Sequence, residues 1–123
     1  PGAGREEISR ALEKLELLVV LDPVVTETAE KATLILPTLF SFESGGTFTN
    51  YSGRLQKLNP AFGGFRNPEG CRADWDVLSE LCRGMGVKAR FRGAGDVMEE
   101  IARGIPAYGA VSYATLGDRG LQL

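Results

Sequence analysis

The stretch from Leu17 to Pro37, with the sequence LLVVLDPVVTETAEKATLILP, decides the fold. Its first five residues, 17–21, are all apolar, which is typical of a strand that is covered on both faces, as strands of parallel sheets are. Asp22 stands where this strand ends. After it, Thr26–Ala32 is predicted as a short threonine-capped helix and Thr33–Leu36 as a second strand.

The residues on either side extend the same alternation. An amphipathic helix is predicted over Arg5–Leu15, where apolar residues recur at helical spacing. The order helix, strand, short helix, strand predicts an α/β fold built on a parallel αβαβ open sheet. Two further helices are expected to start at Asp74 and, with a capping-box pattern, at Asp96. Between the sheet and these helices, glycines and prolines in residues 38–72 predict a long irregular loop region.

Asp22 and Thr26 form the first candidate site. A carboxylate at the end of a buried strand can accept hydrogen bonds from a guanine edge or a ribose hydroxyl. Thr26, four residues later, offers a hydroxyl and the first N–H of a helix to a phosphate. The pair therefore predicts a nucleotide site at the end of the sheet. The alternative is that Asp22 only begins a turn with Pro23 and that Thr26 only caps the helix.

The second candidate is the polar segment from Glu43 to Arg54, ESGGTFTNYSGR. Its glycines let the backbone approach a ligand or a neighbouring segment closely. The alternative is a hydrogen-bonded loop that buries Phe48 and is held together by Asn50 and Arg54. The aromatic residues of this region are expected to serve in packing: Phe40, Phe42, Phe48, Phe62 and Phe65.

Composition limits what the chain can do by itself. Its 123 residues are expected to form a single domain, residues 1–123. The formal net charge is −2 and the basic residues are scattered, so no nucleic-acid partner is expected. There is no histidine, which excludes a Ser-His triad and His-ligated metals within these residues, and no catalytic residue is predicted. Cys71 and Cys82 have the spacing of neither a zinc pair nor a redox pair and are expected to be unpaired.

The sequence predicts a cytoplasmic location. The longest apolar runs, around Leu17–Leu21, are far too short to span a bilayer, so any membrane association is expected to go through a complex. The N-terminus lacks the basic and apolar regions of a signal peptide. The chain begins at Pro1 without a methionine and is expected to be a piece of a longer protein.

Three blocks of sequence carry a resemblance to a known family. They are LD-(x)3-TETA-(x)2-A-(x)3-LP at residues 21–37, E-(x)2-GTFTN-(x)2-GRLQ at 43–56 and DWDVL at 74–78. In this order and approximate spacing they resemble the molybdopterin oxidoreductase family. Within that family the chain is most similar to the large iron–sulfur subunit of NADH-quinone oxidoreductase (respiratory complex I), and next to formate dehydrogenases.

The resemblance implies a segment of a Rossmann-like α/β domain. In catalytic members this domain helps to bind a bis(molybdopterin guanine dinucleotide) cofactor of molybdenum or tungsten, and Asp22 and Thr26 match cofactor contacts there. The residues of the second block match a motif whose role is support. The metal-ligating residue and the cysteines of the iron–sulfur clusters belong to other regions of such proteins, so these clusters are expected elsewhere in the parent.

Three functions follow from these patterns. The first is a non-catalytic scaffold or remnant dinucleotide-binding segment of the large iron–sulfur subunit of complex I, in a protein that passes electrons from NADH to quinone. The second is part of a catalytic molybdenum or tungsten enzyme such as a formate dehydrogenase. The third is a free-standing nucleotide-binding or protein-interaction module. For the first two, the expected partners are other subunits of a respiratory or oxidoreductase complex.

Overall fold

Two small sheets organise the chain in a computed structural model that describes residues 4–62 and 70–123. Strands β1 (Val19–Asp22) and β2 (Leu34–Pro37) pair in parallel. Strands β3 (Gly46–Thr49), β4 (Arg54–Leu58) and β5 (Leu121–Gln122) form an antiparallel sheet in that order. The predicted mixed α/β class is confirmed. In the described residues the parallel sheet has two strands, so the wider Rossmann-like sheet stays a prediction.

Three α-helices lie close to their predicted positions: α1 (Arg5–Leu12), α2 (Asp74–Gly84) and α3 (Ala94–Gly104). A fourth, α4 (Tyr113–Leu116), has no predicted counterpart, and single 3₁₀ turns lie at Ala29–Lys31 and Pro106–Tyr108. Helix α1 ends before its predicted end at Leu15. Helix α3 begins two residues before Asp96, because the Asp96 carboxylate reaches back to the Arg92 N–H from inside the first turn. Within these two described ranges, no helix has the length and apolarity to cross a bilayer.

The prediction of a helix over Thr26–Ala32 is wrong, because only the 3₁₀ turn Ala29–Lys31 forms there. The reason lies in the parallel ladder. The Thr33 N–H donates to the Leu18 carbonyl at 2.8 Å, so the chain is already returning to the sheet at that residue. Too few residues remain for an α-helix, and the tighter 3₁₀ turn closes the connection.

The segment predicted as an irregular loop contains a β-hairpin of β3 and β4, in which Phe48 lies opposite Gln56. Its turn is closed by Asn50, whose side-chain oxygen accepts from the N–H groups of Ser52 at 2.9 Å and Arg54 at 3.0 Å. Gly53 has a φ of 78°, which favours glycine. The prediction of loop is therefore wrong for these strands.

The buried core lies against the antiparallel sheet. It consists of Leu55 from β4, Met98 from α3, Val111 and Leu116. The parallel pair is less well covered: β1 is half-buried throughout, and Leu34 in β2 is 50% exposed. The expectation that both faces of the first strand are covered is therefore wrong for the described part of the chain.

The predicted packing role of the aromatic residues holds for some of them and not for others. Phe40 and Phe42 stack with their ring centroids 5.1 Å apart, and Phe62 meets Phe42 edge-on at 6.3 Å. All three remain partly open to solvent, and Phe48 is 68% exposed, so its predicted burial is wrong. Phe65 lies outside the described residues. Cys71 and Cys82 are free thiols, as predicted.

An ion-pair cluster fixes α2 beside the end of β2. Thr38, which follows β2, forms a parallel bridge with Arg72, and the Leu39 N–H donates to the Arg72 carbonyl at 3.1 Å. The Arg72 guanidinium bonds the carboxylates of Asp76, at 2.8 Å, and Glu80. The first residue of α2 is thereby held near the carboxyl end of the parallel pair.

Candidate functional site

The structure brings Asp22 and Thr26 together at the carboxyl end of β1. One carboxylate oxygen of Asp22 accepts the Val24 N–H at 3.0 Å, and the other lies 3.5 Å from the Thr26 hydroxyl, which donates to it. Both residues are half-buried. The side-by-side placement that the sequence predicts is present. A cofactor contact by either residue stays a prediction.

The surroundings of Thr26 differ from the prediction in one respect. Its hydroxyl accepts the Ala29 N–H at 3.3 Å, and its carbonyl accepts the Glu30 N–H at 2.9 Å. These bonds form one turn that leads into the 3₁₀ turn Ala29–Lys31, and so short a segment lacks the aligned peptide dipoles of an α-helix N-terminus. The α-helix that Thr26 is predicted to open is therefore not formed, and the contact of Thr26 with a phosphate stays a prediction.

A cleft of about 370 Å³ opens beside Asp22, and we call it the Asp22 cleft. It runs from the end of β1 past the end of β2 to the start of α2. Its polar lining residues are Asp22, Thr38, Ser41, Ser44 and Asp74. The sequence pattern identifies Asp74 only as a helix start and gives no signal for Thr38. The DWDVL block at 74–78 is the signal that could have pointed to Asp74.

The lining of the Asp22 cleft accepts hydrogen bonds more readily than it donates them. It combines two carboxylates with three hydroxyl groups, and none of the described residues that line it is a lysine or an arginine. Carboxylates bind N–H and O–H donors strongly and repel anions. The cleft therefore suits a ligand edge that is rich in donors.

The hairpin residues of the second candidate site serve the fold. Asn50 closes the turn, and the Arg54 guanidinium donates to the Arg119 carbonyl at 3.3 Å. The Thr47 hydroxyl lies 3.5 Å from the Met98 sulfur, and the Glu43 carboxylate accepts the Phe40 N–H at 3.0 Å. The alternative of a segment held by its own hydrogen bonds is confirmed for Asn50 and Arg54.

A metal centre is not formed by the residues that the structure describes. Across positions 4–62 and 70–123, no three side chains of the histidine, cysteine, aspartate or glutamate type are grouped so that they could hold a metal ion.

Comparison with known proteins identifies the class. The profile of the molybdopterin oxidoreductase family matches residues 2–84, a range that includes every residue named above as lining the Asp22 cleft. The chain belongs to this family.

Three of the curated relatives are named as alpha subunits of oxidoreductases. The chain is 41% identical over 107 residues, 86% of its length, to the NADPH-Fe(3+) oxidoreductase subunit alpha of Geobacter sulfurreducens, of which it covers 12%. It is 39% identical over 116 residues, 93% of its length, to the F420-dependent formate dehydrogenase 1 subunit alpha of Methanococcus maripaludis. The second such subunit of that organism is 36% identical over 117 residues, 94% of the chain.

The matched region is a small part of these proteins. The chain spans 17% of the length of each of the two formate dehydrogenase subunits. Membership in the family is shown by the family match. The predicted assignment to complex I is not shown, because none of these three relatives is named as a subunit of NADH-quinone oxidoreductase.

Proposed function

We propose that this chain is part of the alpha subunit of a molybdopterin-dependent oxidoreductase of the formate dehydrogenase type, where it helps to hold a molybdopterin guanine dinucleotide. The observation that carries the proposal is the Asp22 carboxylate, fixed at the carboxyl end of a parallel strand and open to a cleft. This position is the one at which open α/β sheets bind nucleotides. The names of the two methanococcal relatives support formate as the substrate.

The lining of the Asp22 cleft fits the nucleotide end of such a cofactor. Guanine presents an N1–H and an amino group on one edge, and ribose presents hydroxyls. All of these groups donate hydrogen bonds, which the carboxylates of Asp22 and Asp74 can accept. When bound, the cofactor supplies redox chemistry at its metal. The residues described in this chain hold and orient its nucleotide.

The exposed surface of the parallel pair supports a larger parent domain. Leu34 and Ile35 in β2 are 50% and 39% exposed, more than is usual for strands of a parallel sheet. Strands β1 and β2 are then two members of a wider Rossmann-like sheet. The parent carries its iron–sulfur clusters in other regions and works with further subunits, which the designation of its relatives as alpha subunits supports.

A nicotinamide-linked electron-transfer subunit is the second candidate. It is favoured by the relative that is named an NADPH-Fe(3+) oxidoreductase subunit, at 41% identity. In this case the chain is a scaffold or a remnant dinucleotide-binding segment, as predicted for the large iron–sulfur subunit of NADH-quinone oxidoreductase, and contributes no cofactor contact.

Cofactor analysis of the purified parent protein distinguishes these two candidate functions. We expect stoichiometric pterin and guanosine monophosphate with molybdenum or tungsten, together with formate oxidation. Asp22→Asn is expected to lower the content of bound guanine nucleotide, because the carboxylate loses its charge. Glu30→Gln, an exposed charge change in the same connection, is the matched control. A parent that lacks pterin but still passes electrons from a nicotinamide donor contradicts the first proposal and supports the second.

A further inference from the structure

We infer that residues 88–92, which lie between α2 and α3, form an open strand edge that pairs with an acidic strand of a partner subunit. We call these residues the 88–92 segment. The inference rests on the proposed function for the existence of partner subunits, which the names of the relatives as alpha subunits support. It is independent of the Asp22 cleft, whose lining includes no residue of this segment.

The burial of the 88–92 segment alternates from one residue to the next. Lys88, Arg90 and Arg92 are exposed. Ala89 is 6% exposed and Phe91 is half-buried, so these two side chains face the protein. An alternation with a period of two is that of an extended chain. The segment belongs to neither sheet of the described residues, so it is strand-like but unpaired there.

The backbone of the segment has an open edge. In an extended chain the N–H and C=O groups of alternate residues point to the same side, so those of Lys88 and Arg90 lie along one edge. Neither backbone bonds to a residue of the described ranges. On either side the edge ends, because the Val87 N–H donates to a carbonyl of α2 and the Arg92 N–H to the Asp96 carboxylate. Such an edge can pair with a strand that another chain supplies.

Two cations determine the charge of the strand that fits this edge. Arg92 is bonded to Asp96, whereas Lys88 and Arg90 make no ion pair within the described part of the chain. Residues 81–95 contain four basic residues and no acidic one, in a chain with a net charge of −2. A second copy of the segment brings like charges together, which is unfavourable across paired strands. A strand with acidic side chains complements both cations.

A cleft beside the segment can receive side chains of the partner strand. Its volume is about 640 Å³, and α3 forms its other wall. On that wall Arg103 is bonded to Glu100, so these two charges offset each other. Glu99, an exposed carboxylate, also lines the cleft and opposes an acidic ligand.

Exposed apolar residues next to the segment favour a polypeptide over a small anion. Met85 and Val87 precede it and are 74% and 55% exposed. A small anion contacts only the cations, whereas a strand also pairs with the backbone edge and covers these apolar side chains. Unpaired cations are costly to bury within one polypeptide, but they speed and orient the association of separate chains. The partner is therefore a separate subunit.

Hydrogen exchange tests the open edge directly. It is measured on the full-length parent protein alone and in complex with its partner subunits. We expect the amides of Lys88 and Arg90 to exchange at least about tenfold more slowly in the complex, because a strand covers them. Amides of β4 are the control and are expected to be protected in both states. Protection of the two amides in the free parent shows that the same polypeptide covers the edge and overturns the inference. Fast exchange in both states overturns it as well.

Charge reversal tests the acidic character of the partner. Lys88→Glu and Arg90→Glu are each expected to weaken the binding of the partner subunits about tenfold. Lys14→Glu, which reverses an exposed lysine after α1, is the matched control and is expected to bind as the wild type does. Glu99→Gln is expected to tighten binding about twofold, since it removes an opposing charge. Equal affinities for Arg90→Glu and Lys14→Glu overturn the inference.

Two substitutions of one residue separate strand pairing from charge. Arg90→Ala removes the cation and keeps the backbone N–H, whereas Arg90→Pro removes both. We expect Arg90→Pro to weaken binding at least about fivefold more than Arg90→Ala, from the lost hydrogen bond. Thermal unfolding checks that both variants stay folded, as expected because an extended chain tolerates proline. Equal losses of affinity in the two folded variants overturn the strand pairing.

Pterin content, measured in the same preparations, distinguishes failure of the inference from failure of the proposed function. The 640 Å³ cleft and the Asp22 cleft share no lining residue, so variants of the 88–92 segment are expected to keep the wild-type pterin content. A wild-type parent without pterin contradicts the proposed function, while weaker subunit binding by Arg90→Glu still supports the inference. A parent that contains pterin and purifies without partner subunits overturns the inference and leaves the cofactor proposal standing.

Discussion

Among the glycines in residues 4–62 and 70–123, Gly120 has the closest contacts to an added Cβ. Its φ is +70°, and a Cβ built there lies 2.2 Å from the Leu55 carbonyl oxygen and 2.8 Å from the Gln56 Cγ. Backbone groups cannot move away from such a contact without breaking the pairing of β4 with β5. The glycine therefore allows the last strand to approach β4 at its buried residue, Leu55.

We expect Gly120→Ala to lower the free energy of unfolding by more than about 2 kcal/mol, from the clash and the left-handed backbone together. Urea denaturation of the chain measures it. Gly84→Ala is the control, because Gly84 lies in α2 with open space around its Cβ position. That change is expected to be neutral or stabilising by up to about 1 kcal/mol. Equal denaturation midpoints for Gly120→Ala and the wild type would contradict the steric argument.

Sequence alone was sufficient to predict that Asp22 and Thr26 lie side by side. Asp22 and Thr26 are four residues apart and follow an apolar strand, so a local pattern reveals them. Thr38 and Asp74 are brought to the same cleft by a bridge between Thr38 and Arg72, which are far apart in the chain. No local spacing encodes that contact, so single-sequence reasoning cannot supply it.

Among the secondary-structure elements, helix α3 has a start that is fixed by side-chain contacts between Arg92 and Asp96. The Arg92 guanidinium, and then the Arg92 N–H, bond the Asp96 carboxylate and lower the pKa of Asp96 to about 2. A pKa that is lower in the folded state stabilises the fold above the ordinary value near 3.8, and this contribution is lost as the pH falls toward 2. The helix start is therefore sensitive to acid.

Asp96→Asn is expected to lower stability at pH 7 and to flatten the loss of stability between pH 4 and pH 2. Thermal unfolding followed by circular dichroism across this range measures both effects. Glu99→Gln, which changes an exposed charge on the same helix, is expected to leave the acid profile unchanged. An identical pH profile for Asp96→Asn and the wild type would show that the Arg92 contact carries no stability.

The hairpin shows why strands β3 and β4 were harder to predict than the long helices. Its two strands are four and five residues long and contain glycine, lysine and glutamine, so alternation of apolar residues is weak. The pairing is set by the Asn50 turn and by Leu55, which meets partners from distant helices. Strand formation here follows tertiary packing more than local preference.

For the whole molecule, the position of the core is the main surprise. The most apolar stretch, Leu17–Leu21, is predicted as a strand that is covered on both faces, yet the buried cluster forms around Leu55 on the other sheet. Apolarity indicates that a segment is suited to burial but not which partner covers it. That partner comes from residues distant in the chain, which periodicity does not reveal.

Leu55→Ala is expected to destabilise the chain by about 2–5 kcal/mol, because it opens a cavity in the core. Leu34→Ala, which removes the same atoms from a side chain that is 50% exposed, is expected to cost less than about 1 kcal/mol. Denaturant unfolding of both variants gives the comparison. A larger loss of unfolding free energy for Leu34→Ala than for Leu55→Ala would show that the parallel pair contributes more to stability than the core around Leu55.

The pairing of β4 with β5 has a consequence for biosynthesis. Leu55 lies opposite Leu121, and Arg54 lies opposite Gln122. During translation the hairpin leaves the ribosome with one edge uncovered, and that edge stays open until more than sixty further residues have been made. An unpaired strand edge invites aggregation, so we expect the nascent polypeptide to be most prone to aggregate in this state.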